Sequence, residues 1–495
     1  MRITAKQILW TLVIAYIVIF GAFVSLRHYN FQTQTWDLAA FVQTFWNTIH
    51  GRIMQNNLEQ VPNHLGLHMS PWLLVLAPGY AAFPTPYFLL IIQTIFIGLG
   101  AWLVYLLAEK ILNKQWLALI FGASYLLYPS LQWANTYDFH EITSFIPLML
   151  AAFYFIEEEK WGWASFFLVL SASVKEDAIL AVLFVGIYLL FRRKNVIARP
   201  KDVAILPYFK KNKIRIFGFA VVILALIYFI VAVKILMPAF GGGVLRFDRY
   251  ANLGGTPSEI IQNVSAHPNL LIETVFTWQK LFYFLLLFLP VAFLPFFSWR
   301  TLLLLIPGLA ENLLTNYTFQ FNSMYHYDAI LIPAIFFGAI HGFKFIQEKW
   351  PRDNGAQPAR INWVKWILLG LAVFSFLTRS PIGLFSFPTA YFKPNAQWNA
   401  YRNMVALVPD DISVAANTNL VPHLAHREFV YALGREPFMV DMVLIDSADP
   451  FGFDTAADFQ AYFDKYQKSG LYQAQIFEDR YIVLVNTSKM KLVPK

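Results

Sequence analysis

The residues able to do chemistry fall in a few short blocks of the sequence. Trp36-Asp37-Leu38 opens the first. Asn63-His64-Leu65-Gly66-Leu67-His68 is the second, and Asn135-Thr136-Tyr137-Asp138-Phe139-His140-Glu141 the third. Lys175-Glu176-Asp177 is the fourth, and Glu311-Asn312 with Tyr325-His326-Tyr327-Asp328 the fifth. A carboxylate beside an imidazole can serve as a general base, orient a hydroxyl or ligate a cation. Asp138, His140 and Glu141 are therefore candidate ligands for Mg²⁺ or Mn²⁺, and the alternative is a hydrated loop tip. His64 and His68 stand at i and i+4, so they can share a helix face and a metal. Asp37 is either an N-cap or a base. The absence of Cys removes thiolate nucleophiles, disulfides and Cys-based metal sites.

The elements that must hold these blocks are apolar. Of 495 residues, 58% are hydrophobic and 14% charged, against about 25% charged in soluble domains. Disordered, collagenous, coiled-coil and disulfide-rich classes are excluded, and a single soluble enzyme is disfavoured. A membrane-crossing helix needs about 20 apolar residues. Ile8–Leu26 reads as an uncleaved first span. Pro86–Ala108, Gln115–Tyr128, Ile142–Ile156, Trp163–Val174, Ala178–Phe191, Ile214–Leu236, Leu281–Ser298, Thr301–Leu314, Ala329–Phe345 and Trp363–Thr378 follow. The expected fold is an all-α polytopic membrane protein of about 11 spans. Lys175-Glu176-Asp177 interrupts the long run Trp161–Phe191, which predicts two half-length helices meeting there. Ionisable groups so placed cost about 2.5–3.5 kcal/mol each on insertion. They line a polar cavity or form a self-neutralised structural cluster.

With the N-terminus inside, the inner segments hold 20 basic and 7 acidic residues, and the outer segments before Arg379 hold 7 basic and 11 acidic. The net charge of +8 is thus a topology signal, not a nucleic-acid footprint. All five blocks fall on the outer side. The first outer loop, residues 27–71, carries an amphipathic stretch Trp36–His50, expected to lie along the membrane surface. The basic loop Arg192–Arg215 reads as a cytoplasmic anchor against anionic headgroups. An odd span count puts the tail outside. Residues 395–495 alternate strand-like runs (Ile412–Ala416, Phe429–Leu433, Met442–Ile445, Tyr481–Asn486) with helical ones (Ala396–Val408, Thr455–Lys468). They predict a small extracytoplasmic α/β domain after a transmembrane domain of residues 1–394. Its last helix has Asp454 as N-cap, and a hairpin turns at Glu478-Asp479.

The ordered blocks give the chain a resemblance. Asp37-Leu38 with Phe45-Trp46-Asn47-Thr48-Ile49-His50-Gly51 comes first, then Asn63 to Pro71. Tyr137-Asp138-Phe139-His140-Glu141, Lys175-Glu176-Asp177-Ala178, Tyr325-His326-Tyr327 and Val408-Pro409-Asp410 through Arg427 follow. Together they resemble the prokaryotic predicted-membrane-protein family called domain of unknown function 2079. That family is similar to the GT-C superfamily of membrane glycosyltransferases. The resemblance implies sugar transfer at the outer face from a polyprenyl-phosphate-linked donor. It implies that Asp37 is the first-loop acidic residue acting as base or metal ligand, and that Asp138-Phe139-His140 occupies the place of a second acidic motif. That motif departs from D-x-D by ending in His. On this reading Lys175 meets the donor phosphate, supported by Glu176 and Asp177, and His64, His68, Tyr325 and His326 line the cleft. Partners are a lipid-linked sugar and membrane lipid, with no nucleic acid, and the location is the plasma membrane. The alternatives are a transporter or flippase, or an anchored envelope protein whose tail binds a partner.

Overall fold

The computed structural model describes residues 3–192, 205–243, 246–349 and 359–488. The chain is mostly helical, with one small sheet near its C-terminus. Helices follow the apolar runs: Ala5–Tyr29, Pro86–Leu112, Gln115–Leu126, Phe145–Glu157, Trp161–Ala172, Glu176–Phe191, Ile205–Val231, Trp278–Phe288, Ile306–Leu314, Ile332–Lys349 and Ala359–Arg379. Arg192–Arg215 lies largely outside the described residues. Length and composition give a narrower result than the eleven expected spans. Among the described residues, Ala5–Tyr29, Pro86–Leu112 and Lys213–Ala239 are long and apolar enough to cross a membrane. One bent pair, Asn269–Val275 with Trp278–Val291, passes as a unit. The other apolar helices are shorter, including Trp72–Ala82, which lies in sequence with no predicted span.

Local chemistry explains the short pieces. The run Leu281–Ser298 does not continue as one helix: Pro290 and Pro295 remove backbone donors, and Ala292 and Phe293 adopt positive φ. Lys280, buried among apolar side chains, ties the bend. Its Nζ donates to the carbonyls of Thr274 and Leu313, each at 2.7 Å, where two helices end. A cation there meets the negative ends of both helix dipoles. The long apolar stretch breaks where expected, with one helix ending at Ala172 and the next starting at Glu176.

The first loop differs from its expected form. Residues Thr35–Ala39 make a π-helical turn that runs into the helix Ala40–Ile49. Leu38, Phe41, Val42 and Phe45 are buried as the periodicity predicts, but Gln43, Thr44 and Asn47 are buried too. The helix is enclosed on its polar side as well, so it does not lie along a surface. Its cover is the tail. Gln43 Nε2 donates to the carbonyls of Arg427 and Glu428, and Asn57 bonds both backbone groups of Val430.

The tail forms a five-stranded sheet, ordered β2-β1-β3-β5-β4. The strands are β1 (Val414–Ala416), β2 (Val430–Ala432), β3 (Met442–Asp446), β4 (Tyr472–Phe477) and β5 (Tyr481–Asn486). β1 pairs in parallel with β2 and β3, and β5 pairs antiparallel with β3 and β4. The hairpin turns at Glu478-Asp479, both at positive φ. Alternation sorts the strand residues into two faces. Val414, Ala416, Met442, Leu444 and Val483 join the core continuous with the helical bundle. Ala415, Tyr431, Val443, Ile445 and Leu484 pack with Tyr462 and Tyr466 of the helix Ala456–Lys468. That helix is capped by Thr455, not Asp454, because Thr455 and Asp458 complete a reciprocal capping box.

Candidate active site

Asp37 is the third residue of the π-helical turn, inside its first turn, and the N-cap position is held by Gln34. Its Oδ1 lies 3.0 Å from His140 Nε2. The His140 ring stacks on His326 with centroids 3.6 Å apart, Tyr137 extends the stack, and Tyr325 meets Tyr137 edge-on at 4.7 Å. His140 Nδ1 and His326 Nδ1 are buried without a hydrogen-bond partner among the described residues. Burial, then the facing His140, pushes the His326 pKa well below the usual imidazole range. A neutral ring there tolerates close stacking. Segments separated by roughly a hundred residues or more thus meet at one point.

The backbone that presents this cluster is fixed by Gln93, a fully buried amide in the otherwise apolar helix Pro86–Leu112. Its Nε2 donates to the carbonyls of Asn135 and Asp138, and its Oε1 accepts from His140 N and Thr143 Oγ1. Asp138 takes a positive φ of 83°, which turns its carboxylate away from His140. That carboxylate accepts from Gln34 N at 2.9 Å and lies 3.3 Å from Arg27. Burial raises its pKa to about 6 in spite of Arg27. Arg27 was legible only as the end of the first span.

The second half of the cluster gathers on Lys175. Its Nζ lies 3.6 Å from Asp177 and 3.9 Å from Glu141. Glu176 accepts from Met69 N and lies 2.9 Å from His68 Nδ1. His64 sits behind, its Nδ1 2.8 Å from Glu59. Burial alone would lower the His64 pKa and raise that of Glu59; their mutual attraction reverses both, so the pair is held charged. Two expectations need correction here. His64 and His68 do not share a metal-binding face. The helix His64–Leu67 ends before His68, the rings are 5.9 Å apart, and each faces its own carboxylate. His64 is also fully enclosed and cannot line an open cleft. Likewise Asp138, His140 and Glu141 part towards Arg27, Asp37 and Lys175. Among the described residues no three His, Asp or Glu side chains converge as a metal site. Asp138 and Glu141 are matched to Arg27 and Lys175 and His140 to Asp37, so the three do not form a donor set for Mg²⁺ or Mn²⁺.

Arg249 was also missed as a site residue. Its guanidinium lies over Tyr317 at 4.3 Å and Tyr327 at 5.5 Å. No short motif surrounds it, so only its place in an acidic outer segment could have marked it.

The family profile described as "Predicted membrane protein (DUF2079)" matches residues 27–483. No curated protein matches the chain. Among solved structures, ArnT from Cupriavidus metallidurans bound to undecaprenyl phosphate is similar, with TM-score 0.51 and 10% identity over 97% of this chain and 98% of that one. The apo oligosaccharyltransferase from Archaeoglobus fulgidus is similar at TM-score 0.44 and 12% identity, over 88% and 69%. At this identity the likeness to ArnT concerns the fold alone, a mostly helical chain with a small C-terminal sheet.

Proposed function

The chain belongs to this family of predicted membrane proteins, and we propose that it is a membrane glycosyltransferase. The donor is a polyprenyl-phosphate-linked sugar, and the reaction takes place at the outer face of the plasma membrane. The observation that carries this reading is the 3.0 Å contact between Asp37 and His140. It supplies a carboxylate–imidazole pair where an acceptor hydroxyl can be oriented and deprotonated. Asp37 accepts the acceptor proton. His140 holds Asp37 and, with His326, offers ring nitrogens that a sugar hydroxyl would satisfy. Lys175, within reach of the Asp177 and Glu141 carboxylates, is the cation for the donor phosphate, with Glu176 and Asp177 fixing it and His68 holding Glu176. Tyr137 gives a flat ring on which a sugar stacks, with Tyr325 edge-on beside it. Arg27 holds Asp138 and thereby the loop that presents His140. The likeness in fold to a protein solved with undecaprenyl phosphate supports a lipid-linked donor.

The finer architecture belongs to the same proposal. About eleven spans, several made of short or broken helices, put the N-terminus in the cytoplasm and the tail, residues 395–495, outside. Membranes containing the protein should move label from one member of a panel of polyprenyl-phosphate sugars to an envelope acceptor. Translocation of the lipid-linked sugar in proteoliposomes without transfer would replace this reading with that of a flippase.

A further inference from the structure

The link between the helix Ala359–Arg379 and the tail turns large apolar side chains outward. Leu384 is 73% exposed, Phe385 81% and Phe392 59%, and the Phe387 and Phe392 rings stack at 5.5 Å. Single exposed apolar residues are ordinary on a protein surface, but a contiguous group marks a contact. Residues 380–392 carry no Asp, Glu, Lys or Arg, and Arg379 and Lys393 stand directly at their two ends. The exposed apolar surface continues onto the helix through Phe374 and Leu377, and the Arg379 guanidinium lies over exposed Phe282 at 5.8 Å.

The backbone holds this segment in a compact shape. Gly383 N and Leu384 N donate to the carbonyls of Ser380 and Leu377 at 2.9 and 2.8 Å, and Thr389 N and Tyr391 N close short turns on Phe387 and Pro388. Donors satisfied locally cost less to bring near hydrocarbon. The first helix sets the level. The Tyr391 ring meets Phe23 at 6.1 Å, and the Tyr391 carbonyl accepts from Asn30 Nδ2 at 2.8 Å. Phe23 and Asn30 bracket the last two turns of Ala5–Tyr29, which is long and apolar enough to cross a membrane. Its 25 residues span about 37 Å at 1.5 Å per residue, against about 30 Å of hydrocarbon, so its last turns reach the boundary with the headgroups. Tyr391 stands at that boundary.

We propose that residues 380–392 are a shallow membrane anchor. Leu384, Phe385 and Phe387 insert among the upper acyl chains of one leaflet, and Arg379 and Lys393 keep their charges at the level of the lipid phosphates. Three observations select lipid as the occupant. The patch continues the exposed flank of the helix Ala359–Arg379, its Tyr391 lies level with the end of a membrane-crossing helix, and cations bracket it. The consequence is for the tail. Lys393 leads into the helix Ala396–Ala406, whose Arg402 lies over Tyr29 at 4.8 Å, so the anchor fixes the height of the tail above the bilayer. The anchor rests on the reading of Ala359–Arg379 as a span and stands whether or not the chain transfers sugars.

Because the chain lacks Cys, single labels on the full-length protein test this. Phe385→Cys, Phe374→Cys and Ser447→Cys, each carrying an environment-sensitive fluorophore, are placed one copy per nanodisc of phosphatidylcholine and phosphatidylglycerol. The label at Phe385→Cys should emit to the blue of the label at Ser447→Cys, which lies in the tail. Lipids spin-labelled at the top of the acyl chain should quench it about twofold, at the roughly 5–10 Å depth of an interfacial segment. Aqueous iodide should quench it less than the label at Ser447→Cys. Adding Leu384→Asp with Phe387→Asp should move the label into water and abolish its quenching by lipid. Iodide quenching equal to that at Ser447→Cys, with no quenching by lipid, overturns the proposal, as does unchanged lipid quenching in the Asp variant. If lipid also fails to quench Phe374→Cys, the span reading fails and the anchor with it. A blue shift seen only when several copies share a disc overturns lipid in favour of a second copy of the chain. If the Asp variant does not insert, the comparison of the three single labels decides.

Discussion

His140 is held from two sides, and the two contacts have different jobs. Its Nε2 faces Asp37, and its backbone N–H donates to Gln93 at 2.9 Å. Removing the ring should therefore remove chemistry, and removing the amide should remove position. His140→Ala removes the partner that holds the Asp37 base at 3.0 Å and is expected to lower transfer by about 10–100-fold, the worth of one charge-assisted hydrogen bond, with His140→Gln restoring part of it. Gln93→Leu takes their partner from the His140 N–H and two carbonyls and leaves the Thr143 hydroxyl only its bond to the His140 carbonyl. It should destabilise the protein by at least about 2 kcal/mol, measured by thermal unfolding in detergent. A stable Gln93→Leu protein would contradict the role given to the amide. The sequence made Asp37, Asp138 and His140 conspicuous because ionisable residues stand out in an apolar chain. It did not reveal their partners. Arg27 and Asp138 are more than a hundred residues apart, and no local rule links them. Gln93 carries a signal, a lone amide inside an apolar run, but a run of that length reads first as a membrane span.

At the scale of elements, the tail and the first loop form one unit. Thr418, two residues after β1, exchanges hydrogen bonds with Thr35, which opens the turn carrying Asp37. Thr418→Val should reduce turnover about tenfold through two lost hydrogen bonds, without raising the KM for donor, and Thr418→Ser should restore it. The same contact includes histidines. His423 stacks on His28 at 4.1 Å, and His426 Nε2 lies 2.7 Å from Tyr80 Oη. Burial lowers the His423 pKa to about 3 and that of His426 to about 4. Both are neutral in the folded state and would titrate near 6.5 when unfolded. The stability they permit is complete above pH 6.5 and falls as the pH drops towards 4, where the unfolded chain takes up protons first. The loss is about 1.4 kcal/mol per pH unit for each ring. Thermal midpoints should drop between pH 7 and 5, and less so in His423→Gln. A flat profile would contradict this. Element types were legible in the tail, because period-2 runs and turn residues are local. Enclosure of the helix Ala40–Ile49 was not legible, because its cover arrives nearly 400 residues later.

At the scale of the molecule, the orientation proposed from the charge partition can be checked directly, since the chain lacks Cys. Ser258→Cys and Ser447→Cys should react with a membrane-impermeant maleimide in intact cells, and Lys160→Cys only after permeabilisation. Labelling of Lys160→Cys in intact cells would invert the orientation. The fold class was legible from composition and the basic-residue asymmetry, which depend on the whole chain. The span count was not. Prolines and polar interruptions divide apolar runs into pieces shorter than a bilayer, and hydropathy alone does not show which pieces are continuous. The proposed chemistry depends on one carboxylate more than on any other group. Asp37→Asn preserves the shape and hydrogen-bonding capacity of the side chain and removes its basicity. Transfer from the polyprenyl-phosphate sugar should fall to background in this variant, with expression, membrane insertion and thermal midpoint unchanged. Transfer at the wild-type rate by a properly inserted Asp37→Asn protein would contradict the account.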